Sequence, residues 1–298
     1  VTGAGGFVGT HLTRFLSGQK KVRVFDDRCD LRDPRAVKRL LSKIKPDRIF
    51  HLAAFSFVPA SWLAPEKAFD VNVLGTLHIF EALKSLNMRP ALHVAGSSEA
   101  YGTILPSENP VDESVPFRPS NPYGVSKAAQ EILALQYGRS LGLPVIVTRA
   151  FFHTGPGQKQ EFVASSFARQ VAMIEAGLQK PVIAVGNLKL VRDFTDVRDV
   201  VRAYWLALEK AKAGEVYNIC SGKGRAIGEI LEIYLKRSSV KIKAQVDPAR
   251  VRKGEIPKLV GDCGKFKNAT GWKPRISLET TLLDLLNDWR RKVAAKNF

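Results

Sequence analysis

Short apolar, β-branched runs alternate along this chain with longer amphipathic stretches. The runs at 22–25, 48–53, 91–95, 145–148, 182–185 and 216–219 read as strands. The stretches at 11–16, 34–44, 66–86, 122–141, 162–176, 197–209, 227–235 and 278–292 read as helices. Strand followed by helix implies βαβ units, and so an α/β fold: a Rossmann-like doubly wound parallel sheet with helices on both faces. Residues 102–119 are rich in Pro, Ser and Glu and predict a long loop beside a site. From Ala150 onward the loops carry more Gly, Pro and Arg, which predicts a smaller second lobe. The sequence shows no internal repeat and no low-complexity tract.

Two places break the alternation. Almost no strand precedes Gly3, where a glycine turn of this kind normally follows a full one, so a first strand cut short is expected. Between Val22 and Asp33 a strand, a helix and a further strand cannot all fit. Either the fold is abbreviated there or a segment is missing from the sequence.

With 298 residues the chain can form one large domain or two intimately joined ones. Its 45% hydrophobic and 25% charged residues are those of a soluble globular protein. No apolar run reaches bilayer length, so no membrane partner is expected, and no secretory signal is visible. Cys29, Cys220 and Cys263 are odd in number and far apart. They predict a reducing, cytoplasmic setting without disulfides. No Cys-x-x-Cys or His-x-x-x-His spacing offers a metal site, and none is expected. The net charge of +18 raises a nucleic-acid surface, but Lys and Arg are dispersed and form no run interleaved with aromatics. The charge reads better as a solvated basic surface, as on thermophile proteins, whose field attracts anionic substrates; no nucleic-acid partner is expected.

Candidate chemistry falls at the predicted strand ends. Gly3, Gly6 and Gly9 permit a tight turn and close approach of a pyrophosphate to a helix N-terminus. Asp26 and Asp27, about 20 residues on, suit an adenosine ribose and favour NAD, whereas the adjacent Arg28 suits the 2′-phosphate of NADP. His51-Leu52-Ala53-Ala54 ends a buried strand; small residues there suit a cofactor lying across the sheet, and His51 reads as a packed core histidine. Asn72, inside the next helix, is expected to bond backbone. Gly96-Ser97-Ser98-Glu99 follows another strand at the carboxyl edge, where such sheets place their chemistry. A Ser hydroxyl there could bond a substrate oxygen, and Glu99 reads equally as a general base or a backbone acceptor. Tyr123 and Lys127 stand four apart and share a helix face. An ammonium beside a phenol would lower the phenol's pKa toward working pH and fit it for proton transfer.

Taken together, Thr2-Gly3-x-x-Gly6-x-x-Gly9, His51–Ala54, Asn72-Val73-x-Gly75-Thr76, Ser97-Ser98-Glu99-x-Tyr101-Gly102 and Tyr123-x-x-x-Lys127 resemble the extended short-chain dehydrogenase/reductase superfamily. Ser61-Trp62, Gly155–Gln158, Val185–Leu188, Arg192–Asp199, Arg252-x-x-Glu255 and Thr270-Gly271-Trp272-Lys273-Pro274 resemble its enzymes of GDP-mannose derivatives. The likeness spans essentially the whole chain. It implies a dinucleotide-binding domain of residues 1–152 plus roughly 187–220, with 153–186 and 221–298 mainly a substrate-binding lobe. It implies NADP or NAD as cofactor, held by Gly3, Gly6, Phe7 and Val8 at the turn, and by Asp27, Arg28, Asp30 and Leu31 beyond it. Leu52, Ala53, Ala54, Tyr123 and Lys127 complete that set.

For the chemistry, the resemblance implies Ser97, Tyr123, Lys127 and Glu99. Tyr123 would protonate O4 of a keto sugar, Lys127 would lower its pKa and hold the nicotinamide ribose, and Ser97 would fix O4. A GDP-sugar would meet Ser98, Phe152 and Asn187, with Arg192 and Arg252 clamping the diphosphate and Glu255 touching the nucleotide ribose. Two reactions compete: reduction of the C4 ketone of GDP-4-keto-6-deoxy-D-mannose to GDP-D-rhamnose, and 4,6-dehydration of GDP-mannose. The Gly155–Gln158 loop, the Arg192–Asp199 run and the modest length favour reduction, while Glu99 fits either. A third reading, a non-catalytic dinucleotide- or RNA-binding protein on the same fold, is disfavoured by the intact Ser97, Tyr123 and Lys127. A homodimer joined through the helices at 66–86 and 122–141, or a tetramer, is also implied. Three positions depart from the family: Phe152 stands where an Asn is usual, Lys253 replaces a Pro, and the 26–30 region is short.

Overall fold

The computed structural model describes residues 1–251 and 256–296. Thr2 makes a parallel bridge to His51, and the glycine turn leads into helix α1 (Phe7–Ser17). Helix α2 (Pro34–Ile44) begins where Asp33 accepts a hydrogen bond from the Arg35 amide and Pro34 takes the first helical position. Strand β1 (Arg48–His51), the short helices α3 (Val58–Leu63) and α4 (Pro65–Phe69), a π-helical turn (Asp70–Leu74) and α5 (Gly75–Ser85) follow. Then come β2 (Ala91–Ala95), α6 (Pro122–Leu141) and β3 (Val145–Ala150).

Beyond β3 the order is β4 (Phe152–Thr154), α7 (Val163–Glu175), β5 (Val182–Val185), β6 (Val191–Asp196), α8 (Val197–Lys210) and β7 (Val216–Ile219). The described chain ends with β8 (Gly224–Ala226), α9 (Ile227–Arg237), β9 (Lys243–Val246), β10 (Lys258–Leu259), α10 (Gly264–Thr270) and α11 (Leu278–Ala294).

The main sheet runs β1–β2–β3–β7, all parallel, with Thr2 bridged to the outer side of β1. Every residue of β3 is buried, as a central parallel strand covered on both faces requires. On one face Val37, Leu41, Ile79, Phe80 and Leu83 of α2 and α5 close a core over Leu92, Val94 and Val147. On the other, Leu12, Leu16, Val200, Tyr204, Phe266 and Trp272 of α1, α8 and the α10 region pack on Phe50, Ile146 and Ile219. A separate core gathers α7, α9 and α11, where Phe167, Val171, Ile230, Leu285 and Trp289 meet Ile183 and Phe194. Strand β6 lies between β10 and β4, and β5 pairs with β9.

Several expectations change. Residues 22–25 form no strand; the Val1 amino group donates to the Phe25 carbonyl at 2.8 Å, and Val22 and Val24 pack against the core that holds Phe50. The strand expected at 48–53 stops at His51, because Leu52 and Ala53 cross over the glycine turn. The helix expected at 66–86 is interrupted by the π turn. There the buried Asn72 accepts from the Phe55 amide (2.8 Å) and donates to the Phe55 carbonyl (3.2 Å) and to Ser126 Oγ (2.9 Å). Asn72 therefore ties backbone together, as its position suggested. All three cysteines are free thiols. Among the described residues no helix is long and apolar enough to cross a membrane.

Candidate active site

The carboxyl ends of β1, β2 and β3 release the chain at Leu52, Gly96 and Phe151, at one edge of the sheet. Gly96 can pass there only without a side chain, since a Cβ would lie 2.7 Å from the Thr148 carbonyl. Ser97 then caps a single 3₁₀ turn (Ser98–Ala100), its Oγ accepting from the Glu99 amide at 3.2 Å. Helix α6 starts beside this turn. Asn121 accepts from the Gly124 amide at 2.8 Å, Pro122 fixes the first turn, and Ser61 Oγ accepts from the Tyr123 amide at 3.2 Å. Gly124 packs so closely on the 3₁₀ turn that a Cβ would meet the Glu99 carbonyl at 2.5 Å. These contacts set Ser97 beside the Tyr123 phenol, close enough for its hydroxyl to favour the phenolate.

One turn further along α6, Lys127 is buried, and its ammonium donates to the Ala95 carbonyl and to Gln130 Oε1. This corrects the expected pairing. Burial pushes the Tyr123 phenol up to about 12; Ser97 favours the anion and Glu99 opposes it, and Lys127 is not among the groups that move it. Tyr123 is thus a protonated phenol at neutral pH. The desolvated ammonium of Lys127 is itself driven down to about 7, against the pull of Glu131.

A stability test follows from that value. An unfolded Lys keeps its proton to about pH 10.4, so between about pH 7 and 10.4 the unfolded chain binds more protons at this site. Stability must rise with pH across that window, by at most ~1.4 kcal/mol per pH unit. Lys127→Met removes this contribution. Denaturant unfolding at pH 7.5 and 9 should show a smaller pH increment in the variant; equal increments would refute the assignment.

Glu99, half-buried, accepts from Asn121 Nδ2 at 2.9 Å and so joins the 3₁₀ turn to the α6 cap. Ser98 is buried behind it. Phe152 lies in β4 against Phe194 of β6, and the guanidinium of the nearly buried Arg192 sits 5.4 Å from its ring centre. Arg192 also donates to the Val191 carbonyl at 2.9 Å. Asn187 is exposed and accepts from the Lys189 amide, a local turn contact. Arg252 and Glu255 lie outside the described residues.

The expected cofactor residues assemble around the glycine turn. Gly3 adopts φ +70°, and a Cβ on it would lie 2.8 Å from the Ala53 backbone, so the crossing chain at Leu52–Ala53 demands glycine. Gly6 precedes α1 without a capping side chain, leaving the amides at Phe7 and Val8 available to an anion. Arg28 reaches over the turn at Gly5, within 3.6 Å of where a Cβ would stand. Asp27 pairs with Lys43 at 3.4 Å, and Asp30, gripped by Arg32 through a 2.7 Å bond, is held down at about 2. Leu31 is buried, its carbonyl bonded to His78 Nδ1 at 2.7 Å. A cavity of about 1140 Å³ opens here, lined by Gly3, Gly6, Val24, Asp26, Arg28 and Ala53 among others. A glycine cradle with free amides beside a mixed acidic and basic cavity fits a dinucleotide. Among the described residues no group of His, Cys, Asp and Glu could hold a metal ion.

Sequence reasoning missed the partners that hold these groups. Asn121 carried a signal, since Asn directly before Pro marks a helix start. Ser61 stood out in the Ser61-Trp62 motif, but its bond to the Tyr123 amide was not legible there, and Gln130 carried no signal, because these contacts join elements far apart in the chain.

Residues 19–285 match the family model for GDP-mannose 4,6 dehydratase. GDP-6-deoxy-D-mannose reductase of Pseudomonas aeruginosa is 38% identical over 98% of this chain and 97% of that protein. Among solved structures, RMD from Pseudomonas aeruginosa complexed with NADPH superposes with a TM-score of 0.92 at 36% identity, over 97% of both chains. The UDP-glucose 4-epimerase of Thermus thermophilus, in complex with NAD, superposes at 0.84 with 28% identity, again over 97% of both chains.

Proposed function

The chain belongs to the GDP-mannose 4,6-dehydratase family, within the extended short-chain dehydrogenase/reductase superfamily, and from that premise we propose that it reduces the C4 ketone of GDP-4-keto-6-deoxy-D-mannose to GDP-D-rhamnose. NAD(P)H, when bound, supplies the hydride. Tyr123 donates the proton that O4 needs as it becomes an alcohol, and the Ser97 hydroxyl holds that oxygen. Lys127 lies beneath them at the foot of the site. The observation that carries this reading is the placement of Tyr123 on the first turn of α6, beside Ser97 at the carboxyl edge of the sheet, where a phenol that burial keeps protonated can donate. The identity to a GDP-6-deoxy-D-mannose reductase over nearly the full length of both chains supports the substrate.

In this reading the main-sheet domain binds the dinucleotide, and the lobe around α7, α9 and α11 binds the nucleotide sugar. Arg28 over the glycine turn favours NADPH, and Asp26 and Asp27 leave room for NADH. Exposed apolar residues along α4, the π turn and α6, namely Phe69, Leu74, Val125 and Ile132, suit a homodimer through these helices.

Dehydration of GDP-mannose is the second reading, favoured by the matched family model and by a half-buried Glu99 beside Asn121. One pair of incubations separates the two. With GDP-mannose and no reduced cofactor, only a dehydratase forms the 4-keto-6-deoxy sugar, because its hydride is recycled. With the keto sugar, oxidation of NADPH or NADH and formation of GDP-rhamnose are expected here. Conversion of GDP-mannose without that oxidation would overturn the proposal.

Arg192 tests the substrate side. Removing a guanidinium that binds phosphate forfeits charge-assisted hydrogen bonds worth roughly 1.5–3 kcal/mol. Arg192→Ala should therefore raise KM for the nucleotide sugar about 10- to 100-fold with a much smaller change in kcat. An unchanged KM would remove Arg192 from the diphosphate site.

A further inference from the structure

Lys127 is held from below by a chain of buried side chains. Thr76 Oγ1 stands 2.7 Å from the Asn72 carbonyl, 2.7 Å from Gln130 Nε2 and 2.8 Å from His51 Nε2. Gln130 Nε2 also lies 3.2 Å from His51 Nε2, and His51 Nδ1 lies 2.7 Å from Thr2 Oγ1. In either histidine tautomer the Gln130 amide keeps one orientation. Its NH₂ faces Thr76 and His51, and its Oε1 faces the Lys127 ammonium, which can only donate. Turning the amide over would set an NH₂ against an ammonium. Gln130, His51 and Thr76 are all buried, so water does not compete.

We propose that Gln130 is the positioning residue of Lys127: its carbonyl, locked by Thr76 and His51, holds the ammonium at the Ala95 carbonyl and sustains its charge. Thr2 and Ala53 extend the lock to the glycine turn, since Thr2 Oγ1 accepts from the Ala53 amide at 3.3 Å. The titratable groups facing Lys127 are few. Glu131 and Tyr123 lie on its own helix, His51 on β1 and His93 on β2. Glu131 is engaged by Arg149 at 2.6 Å, and burial keeps both histidines near 3, hence neutral. Among neighbours that touch the ammonium, Gln130 is the side chain and Ala95 the backbone group. An amide dipole at this point favours the cation without adding a counter-charge, and its loss leaves desolvation less opposed.

The role of Gln130 in turnover rests on the reductase reading; its effect on Lys127 does not. The test therefore has two arms. In protein labelled with ¹³C at lysine Cε, the buried Lys127 resonance, assigned by its absence in Lys127→Met, is titrated from pH 5 to 10. Gln130→Leu should lower its midpoint by about one pH unit or more, and Gln130→Glu should raise it by at least as much. In the second arm, the kcat profile of each variant should shift in the same direction, with KM for the nucleotide sugar nearly unchanged. A midpoint that stays put in both variants overturns the proposal, whatever the enzyme's reaction. Should Gln130→Leu fail to fold, the near-isosteric Gln130→Glu decides it alone. Shifted midpoints with no reductase activity in the unmutated protein would sustain the lock and sink the reductase reading instead.

Discussion

Tyr123→Phe should lower kcat for ketone reduction by about 10²–10⁴, the range that a positioned proton donor contributes. The variant deletes one oxygen and keeps the ring. The first turn of α6 is fixed by contacts that do not involve the phenol, namely Asn121 to the Gly124 amide and Ser61 to the Tyr123 amide. The fold should therefore persist, with a melting temperature equal to or slightly above that of the unmutated protein. Nucleotide-sugar KM should change little, because the loss falls on the transition state, where O4 acquires charge. Retention of more than a tenth of the turnover would show that another group protonates O4.

Burial keeps the Tyr123 phenol protonated, and Lys127 directs its hydrogens to Ala95 and Gln130. A protonated phenol is the donor that reduction calls for, but the same Tyr, once deprotonated, serves the opening oxidation of a dehydratase, so its protonation does not choose between the two. A Tyr and a Lys four apart on a helix share a face, and that much was legible from spacing. Where the ammonium points was not legible, since its acceptors come from β2 and from a glutamine one turn on.

The rest of the chain divides in the same way. Helices α2, α6, α8 and α11 were readable within a residue or two, because their apolar periodicity is local and Asp33, Asn121, Asp196 and Ser277 mark their starts. Strands β4, β6, β8, β9 and β10 were not read as strands. They are two to six residues long, and β6 carries Arg192, Asp193 and Asp196 in its six positions. Their pairing, β6 with β4, β8 and β10, joins residues tens of positions apart, which no window on the sequence captures. Asp193 illustrates the cause. Its carboxylate is buried because the Ser221, Gly222 and Gly261 amides converge on it, at 2.8, 2.9 and 3.3 Å. An acid whose partners come from distant loops reads in sequence as a surface charge.

Arg149→Ala should be among the most damaging substitutions outside the site, by about 3–5 kcal/mol. Arg149 lies near the end of β3 under α6, where its side chain and that of Glu131 are almost wholly buried. Two parallel bonds, 2.9 and 2.6 Å, join guanidinium to carboxylate, and a third at 2.8 Å reaches the Tyr101 hydroxyl. The cation also lies 4.7 and 4.5 Å from the Tyr101 and Phe117 ring centres. Burial pulls the guanidinium down, yet Glu131 more than offsets it and holds Arg149 charged. Truncation leaves Glu131 as a desolvated, unpaired anion four residues after Lys127, together with a void between two rings. The loss is a large share of a typical stability of roughly 5–15 kcal/mol. Urea unfolding should show a lowered midpoint with the slope unchanged. The double variant Arg149→Met, Glu131→Leu should recover much of the loss, because removing both charges abolishes the desolvation penalty that one alone leaves behind. A single variant that loses less than about 1 kcal/mol would mean that water reaches Glu131. In that case the pair does not anchor α6 beneath Tyr123 and Lys127, and the rigidity of the site must come from the Asn121, Asn72, Ser61 and Gln130 contacts instead.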